Sequence, residues 1–305
     1  LMSSEHHHSL PTHRWRLAVA FGITASILLA EVIGAVVTGS LALLVDAGHM
    51  LTDAGGLLMA LVAASLMVRP ATTRMTWGWR RVEILAAGIQ ATILLGVGFY
   101  ALIEGIQRLI SPPEVTSTGL LLAFGIVGLV GNIASLLVLS AGRNANLNLR
   151  AAFLEVLNDA LGSVAVIISA VVIATTGWTR ADAVAGMVIA ALILPRALKI
   201  LREAGSVLLE ATPEGLDLDE VRNHLLALPH VRGVHDLHAS HIATGLPVLT
   251  AHVVLDDACF HDGHAPQILD QLQDCVAEHF QVSIKHSTFQ LEPASHSQHE
   301  SGTHP

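Results

Sequence analysis

The stretch VDAGHMLTDAGG, residues 45 to 56, sets Asp46, His49 and Asp53 inside an apolar run that extends from Leu41 to Val68. On an α-helix, positions i, i+3, i+4 and i+7 share one face, so the three side chains line a single stripe. A second apolar run, AAFLEVLNDALGS, carries Glu155 and Asp159 four residues apart, each 106 positions after His49 and Asp53. If the two helices pack together, His49, Asp53, Glu155 and Asp159 converge on one point. Asp46, one turn before His49, stands behind that point as a hydrogen-bond partner or proton acceptor.

An ionised acid near the centre of a bilayer is expensive. Three of them unpaired would together cost roughly 8–10 kcal/mol on insertion scales. Neither run contains Lys or Arg, so the sequence predicts a divalent cation, protons, or both as the missing partner. Imidazole and carboxylate donors suit zinc, and a carboxylate-rich set also accepts Mn, Fe, Co or Cd. The competing explanation is protonated acids joining helices by hydrogen bonds. One acid would fit that explanation, but matched pairs on two helices favour a cation site. Glu31 and Glu104 are expected near helix ends or interfaces. Gln90, Asn132 and Asn158 are expected to join helices, and Gly125, Gly128 and Gly131 to allow close packing.

These pairs need apolar helices to carry them, and composition supplies them. The 305 residues are 52% hydrophobic and only 13% charged, with mean hydropathy +0.59, against about a quarter charged in soluble domains. A membrane span needs about 20 apolar residues. Six blocks qualify: Leu17–Val37, Leu41–Val68, Val82–Ile110, Thr118–Ala141, Ala151–Thr175 and Ala181–Val207. With the N-terminus inside, the cytoplasmic side collects Arg14, Arg16, Arg69, Arg74, Arg80, Arg81, Arg143, Arg150, Arg196, Lys199 and Arg202, against Arg108 and Arg180 opposite. The excess of basic residues puts both termini in the cytoplasm. No cleavable signal peptide is expected, because the first block runs past twenty residues and turns directly into the second. The His6, His7, His8 triplet is too short for an ordinary tag and has no assigned role.

The chain then divides into a tail at 1–16, a six-span transport domain at 17–207, a soluble domain at 208–292 and a disordered polar tail at 293–305. In the soluble domain, Leu216–Leu228 and Pro266–Phe280 read as amphipathic helices. Gly233–Ile242, Val248–Leu255 and Val282–Glu292 read as strands, in the order αββαβ. That order fits helices on one face of a small sheet. Cys259 and Cys275 have no metal-knuckle spacing and are expected as free thiols. The net charge of -9 comes with no basic run, so no nucleic-acid partner is expected.

Taken together, these segments resemble the cation diffusion facilitator family, in its branch of bacterial zinc, cobalt and cadmium exporters. GSLALLVDAGHMLTDAGGL is similar to the family's second-span signature, with His49 and Asp53 on the metal-binding pair. RRVEILAAGIQATILL is similar to its third-span motif, and LLEATPEGLDLDEVRNHLLALPHVRGVHDLHASHIATGLPVLTAHVVL to the start of its cytoplasmic domain. The resemblance implies an all-α membrane domain followed by a ferredoxin-like α+β cytoplasmic domain, assembled as a homodimer. It implies export of Zn2+ or another divalent cation in exchange for protons, and cytoplasmic metal held by His235, His252 and His286. His264 is a fourth candidate ligand, with His261 competing for its position. In three places the chain departs from the pattern. Zinc-selective relatives carry His where this chain has Glu155, and the Arg69–Arg81 loop lacks the His and Asp of a further loop site. The Ala141–Arg150 loop also lacks the His-rich insert of vesicular transporters.

The function expected is therefore a metal/proton antiporter of the cytoplasmic (inner) membrane. Alternatives are a broader Cd, Co, Mn or Fe efflux carrier, and a membrane metal sensor. A sensor would not need paired acids on two spans. A channel would favour weak, multi-site binding, and an enzyme would need a nucleophile that does not accompany the acids.

Overall fold

The computed structural model describes residues 10–113, 117–140 and 147–296. The His6–His8 triplet, most of the Ala141–Arg150 loop and the polar residues 297–305 lie outside the described residues. Six long helices fall on the six apolar blocks: α1 (Leu10–Thr38), α2 (Leu41–Met67), α3 (Val82–Ile110), α4 (Thr118–Ser140), α5 (Leu147–Thr176) and α6 (Arg180–Leu208). At 29 residues, α1, α3 and α6 each reach about 43 Å, more than the roughly 30 Å of bilayer hydrocarbon. Among the described residues, five helices pass on length and apolarity alone. α2, 27 residues long, carries the two acids and the imidazole. Large apolar side chains such as Leu29, Leu137 and Leu192 stand about two-thirds exposed on these helices, as a lipid solvent requires. This is a multi-pass membrane domain.

The chain divides into two compact units. The first comprises residues up to Leu58 together with Ile89–Ile200. Its apolar core joins Leu41, Leu43 and Val45 of α2 to Leu94 and Ala101 of α3, Val166 and Ala170 of α5, and Ile189, Ala190 and Ile193 of α6. α4 packs against both α1 and α5, and its small residues make that approach possible. A side chain at Gly131 would come within 2.7 Å of Ile27 on α1, and one at Gly125 within 2.9 Å of Ile167 on α5. Between α1 and α2 the chain reverses at Gly39, whose φ of 69° lies in the left-handed region that glycine tolerates best.

The second unit, Met59–Gly88 with Leu201–Pro305, contains the soluble domain. α7 (Leu218–Leu226) is followed by β1 (Val231–Ala243), β2 (Leu246–Leu255), the short α8 (Cys259–Asp262), α9 (Ala265–Glu278) and β3 (His286–Pro293). Asp217 starts α7 by accepting the Asp219 N–H at 2.9 Å and the Glu220 N–H at 3.4 Å, the usual way an acid satisfies the first turn's free donors. The sheet order is β1-β2-β3, with β1 and β2 antiparallel and β2 and β3 parallel. Side chains alternate faces along a strand. Leu249, Ala251, Val253 and Leu255 turn toward Val221 and Leu225 of α7 and Ile268, Leu272 and Val276 of α9. His252 therefore points to the other face. Cys259 and Cys275 are both free and buried. The expected αββαβ order is present, with the third strand starting at His286 rather than Val282.

Candidate metal centres

In the membrane domain, α2 and α5 bring the predicted donors together. His49 Nε2 lies 3.5 Å from Asp53 Oδ2 on its own helix and 3.8 Å from Asp159 Oδ1 across the helix interface. His49 and Asp159 are each 4% exposed. Asp159 Oδ1 and His49 Nδ1 have no hydrogen-bond partner, whereas Asp53 lies within hydrogen-bond reach of Glu155, and Asp46 of Glu31. Buried polar atoms in native proteins are almost always paired, so the orphaned Asp159 Oδ1 and His49 Nδ1 make this interface a candidate site. A cavity of about 90 Å³ opens beside them, lined by Asp46, His49, Asn158, Gly162, Ile189, Leu192, Ile193 and Arg196.

Glu155, the fourth predicted donor, lies within hydrogen-bond reach of Asp53 and is paired with a cation. Arg196 on α6 donates from Nη2 to Glu155 Oε1 at 2.9 Å, and its Nη1 lies 3.7 Å from Asp53 Oδ2. The expectation that nothing basic neutralises these acids is therefore corrected. The cation comes from a third helix, which inspection of α2 and α5 alone could not reveal. By charge alone Arg196 reads as a residue of the cytoplasmic boundary. The signal in the sequence is Pro195, inside α6, which supplies no N–H to the Ala191 carbonyl and loosens the helix next to Arg196.

Glu31 also departs from expectation. It is not near a helix end but inside α1, 2% exposed, facing Asp46. The space it needs is left by Gly128, where a side chain would come within 3.0 Å of Glu31 Oε1. Asn132 on α4 donates to Ser163 Oγ on α5 at 3.3 Å, as expected of a helix-joining amide. Glu104 pairs with Arg108 one turn along α3, at 2.8 Å.

In the soluble domain a second cluster forms on the sheet face away from the helices. His235 and His252 are directly paired across β1 and β2, with ring centroids 5.1 Å apart. His235 Nε2 lies 2.5 Å from Glu292 Oε1, and His252 Nδ1 lies 3.9 Å from Glu292 Oε2. Among the described residues, His235, His252 and Glu292 are the group of metal-type donors that closes to within 4.8 Å. A bulge opposes Asp236 and Leu237 to Ala251. With Asp236 in the left-handed region at φ 49°, its Oδ2 comes to 3.8 Å from His252. His296 stands 3.8 Å from Glu292.

Two of the expected cytoplasmic ligands lie apart from this cluster. His286 pairs in register with Val248, whereas His252 pairs with Gln290, so His286 is four residues, about 13 Å, along the strand. Its ring meets Trp77 edge-on at 4.8 Å. His264 bonds Asp262 at 2.9 Å and stacks on His230. Glu292 escapes a reading of the sequence because its role depends on strand register, although its even-numbered position shares a face with Gln290.

Comparison with known proteins decides the family. The family model for the cation efflux transmembrane domain matches residues 17–209, and the model for the cation efflux protein cytoplasmic domain matches residues 213–294. The chain belongs to the cation efflux family. This cation efflux protein is 40% identical to the metal cation efflux system protein CzcD of Cupriavidus metallidurans, over 99% of this chain and 94% of that one. It is 42% identical to the zinc transporter ZitB of Escherichia coli, over 91% of this chain and 87% of the relative. It is 35% identical to a cadmium, cobalt and zinc/H(+)-K(+) antiporter of Bacillus subtilis, over 95% and 93% of the two chains. A solved structure of the metal-bound C-terminal domain of CzcD aligns at 38% identity with 25% of this chain and 99% of that one, with a TM-score of 0.22.

Proposed function

We propose that this protein exports divalent metal cations, zinc foremost, from the cytoplasm in exchange for protons. In this reading it works as a homodimer in the cytoplasmic membrane with both termini inside. The observation that carries the reading is the buried set His49, Asp53 and Asp159, with Glu155 beside it. These are metal-type donors on two facing helices, and Asp159 Oδ1 and His49 Nδ1 among them have no hydrogen-bond partner. A metal takes only deprotonated ligands, so metal entry expels protons and proton entry expels metal. Residues 17–207 form the transport domain in this reading, between the N-terminal tail at 1–16 and the soluble domain at 208–292, with 293–305 as a polar tail. The relatives support the substrate class by their names: a metal cation efflux protein, a zinc transporter, and an antiporter of cadmium, cobalt and zinc against H(+) and K(+).

The soluble domain adds a resident metal. Two imidazoles and a carboxylate fit the zinc donor set, and His235, His252 and Glu292 would hold the ion, tying β1, β2 and β3 together. The same relatives bear on metal range. With a carboxylate at Glu155 in place of the imidazole, the transport site is expected to accept cadmium and cobalt beside zinc.

The test is metal uptake into proteoliposomes containing a pH dye, for wild type and for Asp53→Ala, Asp159→Ala and Glu155→His. Zinc flux matched by opposite proton flux is expected in wild type, and neither in the two alanine variants. Glu155→His should narrow the range toward zinc. Metal flux without proton movement would replace the antiporter by a channel. Metal binding with no flux would point to a sensor.

A further inference from the structure

Arg196 is a cation already lodged among the acids that the transported metal needs. Its fork reaches both donor helices at once, Nη2 to Glu155 of α5 at 2.9 Å and Nη1 toward Asp53 of α2 at 3.7 Å. The guanidinium keeps its charge at every physiological pH, so protons cannot remove it as they can remove a metal. It can only move aside. The residue is placed for that. The Arg196 side chain is 38% exposed, against 5% for His49 and Asp159, so it enters from the more open side and leaves the inner pair uncovered. The adjoining cavity is lined by Asp46 and His49 as well as by Arg196, so the arginine borders the same space as the donor set. Pro195 removes a helix hydrogen bond at the preceding position.

Resting on the transport reading above, we propose that Arg196 is a tethered competitor of the transported metal. It closes on Glu155 and Asp53 when the metal has left, and it is displaced when metal returns. Two consequences follow from charge alone. The metal is bound less tightly than the bare acids would bind it, which speeds release. The emptied site stays partly neutralised inside the membrane, which lets the metal-free carrier reorient.

Zinc binding to the full-length protein, with Glu292→Gln in the background to silence the soluble-domain cluster, tests this by calorimetry beside thermal stability. Arg196→Gln is expected to bind zinc about tenfold more tightly, the effect of removing one charge-assisted hydrogen bond that competes with the metal. In proteoliposomes it should retain zinc/zinc exchange while net zinc export slows. Arg196→Lys keeps the charge without the fork and should bind with an affinity between those of wild type and Arg196→Gln. Millimolar guanidinium should weaken zinc binding by Arg196→Ala and leave wild type unchanged, a rescue that a merely structural arginine would not produce. Equal or weaker zinc binding in Arg196→Gln at unchanged stability overturns the proposal. If that variant does not fold, absence of guanidinium competition in Arg196→Ala overturns it instead. A wild type that carries no metal at all would remove the transport reading itself, whereas normal wild-type transport with no change in these variants removes the role of Arg196 alone.

Discussion

Asp182, near the start of α6, accepts the backbone N–H of Leu41, the first residue of α2, at 2.6 Å. Its other oxygen takes the Ser40 hydroxyl and the Ala42 N–H, the latter at 3.4 Å. An acid on one helix thus caps the start of another, and Arg108 stands 3.9 Å away as its counter-charge while donating to the Gly39 carbonyl at 2.7 Å. The tight reversal at Gly39 leaves α2 no room for a cap of its own beyond Ser40. The arrangement fixes the height of α2 against α6, and so the height of His49 and Asp53 against Arg196.

Asp182→Ala should therefore cost on the order of 1–3 kcal/mol, the penalty for orphaning buried donors, with Asp182→Asn intermediate. Thermal unfolding of the detergent-solubilised protein measures it. Both variants should also lose metal flux, since α2, which carries His49 and Asp53, would no longer be held in register with α6. A melting temperature equal to that of wild type would show that the cap is dispensable.

Gly162 is where α5 makes room for Asp46. A side-chain carbon there would fall 2.5 Å from Asp46 Oδ1, closer than atoms tolerate, whereas Gly96 on α3 has open space around the same position. Gly162→Ala should displace Asp46, destabilise the protein by about 1–3 kcal/mol as overpacking does, and reduce transport. Gly96→Ala should be neutral or slightly stabilising, because alanine favours helix. Flux assays and melting of the pair side by side decide it, and equal behaviour would remove the steric account.

On the soluble domain, His235→Ala or Glu292→Gln should lower the zinc bound per protomer by one, counted by elemental analysis of the full-length protein. His286→Ala should leave that count unchanged, because its strand position puts it about 13 Å from His252. Loss of the ion on His286→Ala, with none lost on Glu292→Gln, would reverse the assignment.

A pH effect follows from Asp256, where the end of β2 meets the start of β1. Hydrogen bonds from Arg232 and then from His230 hold its carboxyl below the usual carboxylate range. A carboxyl depressed in the folded state adds stability above its unfolded value, near 3.9, and loses it as pH falls through the lower folded value. Wild type should thus keep β1 protected from hydrogen exchange near neutrality and lose part of that protection in acid. Asp256→Asn should exchange faster at neutral pH and show a flatter acid dependence. The group is open to solvent, so the difference should shrink in high salt.

What the sequence by itself determined is what lies along one helix or one strand. The pairing of His49 with Asp53 and of Glu155 with Asp159 follows from a 3.6-residue period. The apolar blocks follow from composition, and the αββαβ order from alternation and turn residues. These are local properties, legible in the order of the residues alone. Contacts between elements far apart in sequence were decided only in three dimensions. Arg196 reads as a boundary charge, yet the packing of α6 on α2 and α5 carries it to Glu155 and Asp53. Glu31 reads as interfacial, yet the missing side chain at Gly128 lets it lie buried beside Asp46. Glu292 enters the His235 and His252 cluster, and His286 stays apart from it, because the parallel register of β2 and β3 sets which residues meet. A side chain's period is written in its own segment; its partners across the core depend on how whole elements dock.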